Sequence, residues 1–319
     1  MHNIDKLRSR PLVGLALGGG GARGYAHLGV LKALCRAGIP VDIIAGTSMG
    51  AVVGAVYAAG HEVEEMQAIA LSMYWQDMLQ LADITFPRRG VIAGGRLEHF
   101  FAMLTGNKEF HELRTILKVV ATDIVAGKEV RLTTGSVARA LRASTALPGI
   151  FCPVRIDNLI LADGSLVAPV PAAAVMEMDP LVLIVVDVSS PVDNAGILLK
   201  TSQWFRCKFQ SSATQSKLWR PLSRVVPESL ILVNRSLELC SKGSLSREYP
   251  VPAGGITIVV RPAVQEIKWY ELHQASKCIK AGETAGTKVA EYLVSLYESN
   301  VFTGERMLNP MSGNEVLIL

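Results

Sequence analysis

The sequence predicts an α/β fold of three layers, in which helices cover both faces of a mainly parallel central sheet. Apolar, β-branched runs alternate with segments of helical periodicity, and half of the 319 residues are hydrophobic, enough for a sizeable core. No internal repeat or low-complexity tract interrupts this alternation. We expect a single domain over 1–319, with a core at about 11–190, an insertion at about 195–250, a closing strand and helix at about 255–296 and a tail at 300–319.

The first sixty residues have the pattern strand, helix, strand, helix. The apolar run 12–17 predicts a buried strand, and leucines near helical spacing predict a helix over 26–37. The segment VDIIAG at 41–46 predicts the second strand, and 49–60 the helix after it. This alternation is typical of a parallel sheet.

The remaining elements follow from the same patterns. Further apolar runs predict strands at 116–124, 158–163, 180–190 and 255–262. Helical periodicity predicts helices at 62–82 and 265–296.

Composition excludes several classes of protein. Five cysteines, odd in number and without a C-x-x-C pair, argue against a disulfide framework and a zinc site. The net charge of +4 is too small to indicate a nucleic-acid partner. The apolar stretch before the glycines is too short to predict a secretory signal. We therefore expect a cytoplasmic protein without cofactor or metal; the oligomeric state stays open.

The segment 195–247 differs in charge from the rest of the chain. It has nine basic and two acidic residues, interleaved with Trp204, Phe205, Phe209 and Trp219. This mixture suits peripheral contact with an anionic membrane, at the inner membrane surface for a cytoplasmic protein. A solvent-exposed helical insertion that is anchored by a few aromatic side chains explains this composition equally well.

A nucleophile motif follows the second strand. The residues 46–50, Gly-Thr-Ser-Met-Gly, match the G-x-S-x-G pattern, with a strand before and a helix after, as a nucleophile elbow requires. Ser48 is the candidate nucleophile, and the helix N-terminus favours the negative charge that develops there.

The glycine run after the first strand has two interpretations. Gly19, Gly21 and Gly24 fit the G-x-G-x-x-G spacing of a dinucleotide loop, but the acidic residue that such a loop needs belongs at the carboxyl end of the second strand, and Asp42 opens that strand. In an acyl transferase or hydrolase the backbone N–H groups of Gly19, Gly20 and Gly21 form an oxyanion hole instead.

Asp163 is the better candidate for the base. It ends an apolar run, is followed by Gly164, and we expect it at the same sheet edge as Ser48, where a carboxylate accepts a serine proton directly. His273, the base of a Ser-Asp-His order, lies in a helical pattern that suits a surface histidine better. Asp123 and Asp187, which also end strand-like runs, are lesser candidates.

Four motifs together resemble one family. They are GGGGARG at 18–24, GTSMG at 46–50, RASTALPGIFCPV at 142–154 and ADGS at 162–165. In this order they are similar to the bacterial patatin-like phospholipases, which include the catalytic domain of neuropathy target esterase. The resemblance extends from Pro11 through Asp187 and, less firmly, to about residue 295.

The resemblance implies a mechanism. The family is similar to cytosolic phospholipase A2, which uses a Ser-Asp dyad on a three-layer α/β/α fold; this implies Ser48 as nucleophile, Asp163 as general base, the glycine loop as oxyanion hole and Arg23 as its support. The implied substrate is a phospholipid or lysophospholipid. Two positions depart from the family: Gly18 replaces an acidic residue, and Ser165 replaces a glycine or alanine.

Other segments have less specific interpretations. Pro148 and Gly149 predict a rigid bend that positions the strand before Asp163. The segment 74–101 suits an acyl channel or lid, or a helix and loop that cover the core. Two other classes of function stay open. The first is a patatin-like module of weak or no activity that binds lipid or a protein partner and has a regulatory role. The second is a nucleotide-binding protein.

Overall fold

A nine-stranded sheet forms the centre of the molecule. In the computed structural model the described residues are 10–72, 83, 92–189, 248–299, 302–303, 306–307 and 316–319. The strands are β1 (Val13–Leu17), β2 (Ile43–Thr47), β3 (Ile116–Asp123), β4 (Lys128–Leu132), β5 (Val154–Ile156), β6 (Leu159–Asp163), β7 (Val182–Val186), β8 (Ile256–Val260), the two-stranded pair β9 (Phe302–Thr303) and β10 (Arg306–Met307), and β11 (Val316–Ile318).

The sheet is mixed but mostly parallel, as predicted. Its order is β11-β8-β7-β1-β2-β3-β6-β5, with β4 also paired to β3. The five pairings from β11 to β3 are parallel, whereas β3–β4, β3–β6 and β5–β6 are antiparallel. All five residues of β1, β7 and β8 are buried, because helices cover a parallel sheet on both faces.

Helices lie on both faces of the sheet. They are α1 (Ala26–Arg36), α2 (Met49–Ala58), α3 (Val63–Ser72), α4 (Gly95–Leu104), α5 (Val137–Ser144), α6 (Ala172–Met176) and α7 (Ala275–Glu298). Of the α-helices in the described residues, all except α6 contribute to the larger core cluster, whereas α6 packs with residues of the opposite face, including Ala16, Ala45 and Val185. The three-layer prediction is confirmed.

The helices α1 and α7 cross at very short range. A Cβ atom built on Gly282 would lie 1.9 Å from the carbonyl oxygen of Ala26, and one built on Gly29 would lie 2.0 Å from that of Ile279. Glycine at both positions therefore lets the two backbones touch.

Most predicted elements are present with shorter bounds, and three strands of the central sheet were not predicted. β4 and β5 are short and partly exposed, and β11 extends the sheet at the far edge, in a tail whose pattern predicted nothing. The helix expected over 265–296 begins only at Ala275. The basic segment 195–247 lies outside the described residues, as do 74–82 and 84–91 of the lid candidate.

Within the described ranges, every helix is too short or too polar to cross a membrane.

Candidate active site

The strands that carry Ser48 and Asp163 meet end to end. On β3, residues 116–120 pair with β2 and residues 121–123 pair with β6, while β4 pairs with 119–123 and so overlaps both sets. Because a strand has only two edges, β2 and β6 share the edge opposite β4. The last rungs are Thr47 with Val120 and Asp163 with Ala121, so the two carboxyl ends face each other.

The relative direction of these strands differs from the one that the sequence predicts. We expected Ser48 and Asp163 at one sheet edge because carboxyl ends of parallel strands coincide there, but β6 is antiparallel to β3. The two residues come together because β3 is longer than β2 and leaves room for β6 beyond the end of β2.

Ser48 lies in a strained turn between β2 and α2. Its backbone has φ 52° and ψ −122°, a left-handed conformation that non-glycine residues rarely adopt. The motif glycines are required by close contact: a Cβ on Gly46 would lie 2.4 Å from Cα of Ala51, and one on Gly50 2.2 Å from the carbonyl oxygen of Leu17. The chain thus turns from strand to helix at Ser48 as the spacing predicts, and the role of Ser48 as nucleophile stays a prediction.

The Ser48 hydroxyl donates a hydrogen bond to Asp163. Its Oγ lies 2.8 Å from Oδ2, between residues 115 positions apart in the chain. Asp163 is 4% exposed, and this burial raises the pKa of its carboxyl, while hydrogen bonds from the Ser165 N–H and from the hydroxyls of Ser48 and Ser165 oppose the rise. The carboxylate is thus oriented directly on the serine, without a histidine between them.

Ser165 lies between the carboxylate and the glycine loop. Its N–H donates to Oδ1 of Asp163 over 2.8 Å. A Cβ built on Gly19 would lie 2.3 Å from the Ser165 hydroxyl oxygen and 3.5 Å from Cβ of Ser48. The first glycine of the proposed oxyanion hole is therefore adjacent to both serines and has no room for a side chain.

The glycine loop differs in detail from the expectation. Gly19 donates its N–H to the carbonyl oxygen of Pro169 over 2.8 Å, so that this N–H does not point to an oxyanion in the present conformation. The N–H groups of Gly20 and Gly21 make no hydrogen bond to any residue that the structure describes. Of the three predicted donors, two are available.

A buried histidine holds the start of the loop. His27 Nε2 lies 2.7 Å from the carbonyl oxygen of Gly18, and burial lowers the pKa of the ring to about 4. Because a carbonyl oxygen only accepts, the neutral ring carries its proton on Nε2. Sequence reasoning assigned His27 no role; its place in a helix directly after the glycines was the one available signal.

The other side of the loop packs against the segment before α7. Ala22 donates its N–H to the carbonyl oxygen of Trp269 over 2.7 Å, and the same oxygen leaves no room for a Cβ on Gly21. Arg23 is buried, and its charge opposes the effect of burial, which raises the pKa of the Cys278 thiol to about 11. The support expected from Arg23 stays a prediction.

The end of α5 and the two residues after it contact both Ser48 and Asp163. The Ser144 hydroxyl accepts the N–H of Ser48 over 2.8 Å and donates to the carbonyl oxygen of Val120 over 2.6 Å. Two residues further on, Ala146 accepts the N–H of Asp163 over 3.0 Å. We had expected positioning from the bend at Pro148 and Gly149; these contacts come from residues just before that bend.

The alternative candidates lie elsewhere or have other partners. His273 is exposed and contacts its neighbour Gln274. Asp123 accepts the N–H of Val125 in the turn after β3.

Two further aspartates also have structural partners. Asp187 accepts hydrogen bonds from Ser189 and Tyr249. Asp42, at the start of β2, forms two hydrogen bonds with Arg10. The dinucleotide interpretation has no acidic residue at the required strand end.

The arrangement can support nucleophilic chemistry. A serine at a helix N-terminus donates to a buried carboxylate, and two backbone N–H groups of a neighbouring loop are available for a developing negative charge.

Comparison with known proteins identifies relatives of the core. The family model described as patatin-like phospholipase matches residues 15–176, just over half of the chain. An uncharacterized NTE family protein of Mycobacterium tuberculosis is 41% identical over 167 residues, which are 52% of this chain and 46% of that protein. This chain spans about half the length of the mycobacterial relatives that it matches.

More distant matches cover most of the chain. The lysophospholipase nte1 of Emericella nidulans is 28% identical over 302 residues, 92% of this chain but 19% of that much longer protein. Among solved structures, VipD from Legionella pneumophila matches with a TM-score of 0.42 and 14% identity, over 89% of this chain and 67% of that chain.

Proposed function

This chain belongs to the patatin-like phospholipase family, and on that premise we propose that it is a serine hydrolase that cleaves an acyl ester bond of a phospholipid or lysophospholipid. The observation that carries this proposal is the 2.8 Å hydrogen bond from Ser48 Oγ to Asp163 Oδ2, made by a strained serine at a helix N-terminus. A serine that already donates to a buried carboxylate has the base that nucleophilic attack requires.

The acylation step uses both side chains. Asp163 accepts the hydroxyl proton while Ser48 Oγ bonds to the ester carbonyl carbon, and the carbonyl electron pair moves onto its oxygen. When the tetrahedral intermediate collapses, the alcohol leaves with the proton from Asp163 and the acyl group stays on Ser48.

Deacylation repeats these steps with water. Asp163 accepts a proton from a water molecule, which attacks the acyl-serine; the fatty acid leaves, and the proton returns to Ser48 Oγ.

The glycine loop would stabilise the oxyanion. We assign this role to the N–H groups of Gly20 and Gly21, because the Gly19 N–H is engaged with Pro169. The helix α2 begins directly after Ser48, and its N-terminal dipole adds to the stabilisation of negative charge.

The substrate class rests on the relatives. The fungal proteins that match 92% of this chain are named lysophospholipases. A lysophospholipid, with one acyl chain, is therefore the substrate that we would test first.

The first prediction concerns Ser48 and Asp163. Ser48→Ala removes the nucleophile and is expected to abolish labelling by a fluorophosphonate probe and to lower kcat for lysophospholipid by about 10⁴-fold or more. Asp163→Asn keeps the shape but not the basicity, and a large loss of both signals is expected. Intact-mass measurement of the labelled protein and release of fatty acid are the two measurements.

The matched control is Asp123→Asn, because Asp123 also ends a strand but its carboxylate accepts the N–H of Val125 in the turn after β3. It is expected to label and turn over like the wild type. A folded wild-type protein that neither labels nor releases fatty acid would contradict the proposal and favour the binding or regulatory module instead.

A further inference from the structure

One short segment holds the backbones of both Ser48 and Asp163. Ser144 and Ala146 are 0% and 1% exposed, and they bind the N–H groups of Ser48 and Asp163 respectively. Both contacts lie at the junction where β2 and β6 meet end to end on β3. The nucleophile and the base thus follow or end two different strands, β2 and β6, which both pair with β3.

The Ser144 hydroxyl replaces a rung of the β2–β3 ladder. Thr47 and Val120 form the last pair of that ladder, and the chain then turns sharply at Ser48. Ser144 Oγ accepts from the Ser48 N–H and donates to the Val120 carbonyl oxygen, over 2.8 and 2.6 Å. A side-chain hydroxyl thereby satisfies two backbone groups that the turn has separated, and ties the strained residue to β3.

We infer that Ser144 is a positioning residue that fixes the Ser48 elbow relative to the strand bearing Asp163, and so sets the geometry of proton transfer. This inference rests on the proposed function, since it concerns the same pair of side chains. Ala146, in the same segment, accepts the N–H of Asp163 with its backbone oxygen. A substitution of the side chain does not remove this oxygen. The hydroxyl of Ser144 is the group that can be tested.

Removal of the hydroxyl should affect turnover more than substrate binding. Ser144→Ala leaves the Ser48 N–H and the Val120 carbonyl without this partner, so the elbow is less well held. We expect kcat to fall by roughly tenfold to hundredfold, the loss that a misplacement of about 1 Å produces, with KM changed by less than about threefold. The rate of fluorophosphonate labelling should fall in parallel, because it reports the same nucleophile.

A matched pair separates the hydroxyl from the effect of volume. Ser144→Thr and Ser144→Val add the same bulk to a fully buried site, but only threonine keeps a hydroxyl. The threonine variant should retain at least about tenfold more kcat than the valine variant. Thr145→Ala is the neighbouring control, since the Thr145 hydroxyl donates to the Leu141 carbonyl oxygen and not to Ser48 or Asp163; its kcat should stay within about twofold of wild type.

The outcomes are distinct from failure of the proposed function. If the wild type is active and a folded Ser144→Ala keeps its kcat, or raises KM alone, the positioning role is overturned. Equal kcat in the threonine and valine variants also overturns it, and this comparison decides the case if Ser144→Ala does not fold. Inactivity of the wild type with lysophospholipid and with the probe would instead refute the proposed function.

Discussion

At Asp163, burial and hydrogen bonding act on the pKa in opposite directions. Burial raises it above the ordinary value of 3.8, and donors from Ser165 and Ser48 stabilise the ionised form. The proposed base must be ionised to accept a proton. Activity is therefore expected to fall as the pH is lowered through the pKa of Asp163 in the folded protein, with the midpoint of this acid limb above 3.8.

Ser165→Ala tests this balance. The variant keeps the Ser165 N–H, which donates to Oδ1, but loses the hydroxyl that stabilises the carboxylate. The pKa of Asp163 should rise, so the acid limb of kcat/KM should move to higher pH. The pH profile of kcat/KM between the two proteins measures the shift.

Thr145→Ala serves again as a control, since its hydroxyl donates to the Leu141 carbonyl oxygen and not to the carboxylate. An acid limb at the same pH in the wild type and in Ser165→Ala would show that the hydroxyl does not act on the base.

Residues with local signals were predictable, and residues with distant partners were not. Ser48 and Asp163 occur in short motifs whose residue spacing predicts a turn at that position. Ser144 and His27 form hydrogen bonds with backbone atoms of residues that are 96 and 9 positions away in the chain. The residues next to them in the sequence do not indicate these partners. The engagement of the Gly19 N–H by Pro169 likewise depends on the assembled sheet.

At the scale of the elements, the crossing of α1 and α7 predicts that a glycine-to-alanine substitution destabilises the protein, whereas helix propensity alone predicts stabilisation. In a helix interior, glycine to alanine is ordinarily favourable by about 1 kcal/mol. At Gly282 a Cβ would lie 1.9 Å from the backbone oxygen of Ala26, which cannot rotate away. We expect Gly282→Ala to lower the free energy of unfolding by about 1–3 kcal/mol, measured by denaturant titration.

The control is Thr284→Ala, an exposed position on the same helix where alanine meets no obstruction. It should be neutral or slightly stabilising. If Gly282→Ala also stabilises the protein, the two helices are not in the close contact described.

The alternation of strands and helices was predictable because buried strands of a parallel sheet are continuously apolar. β4 and β5 escaped prediction because they lie on the partly exposed antiparallel side, where charged residues such as Arg131 and Arg155 interrupt the pattern. The direction of β6 was not readable either, since periodicity reports burial and not orientation.

At the scale of the whole molecule, the basic segment 195–247 predicts an electrostatic contact with membranes. The protein should bind vesicles that contain phosphatidylglycerol more tightly than vesicles of phosphatidylcholine alone, and higher salt should weaken this binding. Glutamine in place of Lys200, Lys208 and Lys217 should reduce the bound fraction in vesicle sedimentation, because each cation near the surface contributes about 1 kcal/mol.

A matched triple variant tests whether location matters. Lys277, Lys280 and Lys288 are exposed on α7, and their replacement by glutamine removes the same charge from another surface. Equal loss of binding in both triple variants would contradict a specific role for 195–247. It would indicate that the net charge of the protein alone determines vesicle binding.

The end-to-end junction of β2 and β6 has a consequence for biosynthesis. A nascent chain that has passed Ser48 must still be extended by 115 residues before Asp163 exists, and both strands must then dock on β3 before the carboxylate reaches the hydroxyl. Incomplete translation products that end before β6 therefore carry the nucleophile without its base. Under the proposed function, such fragments would have no activity on lipid until the sheet is assembled.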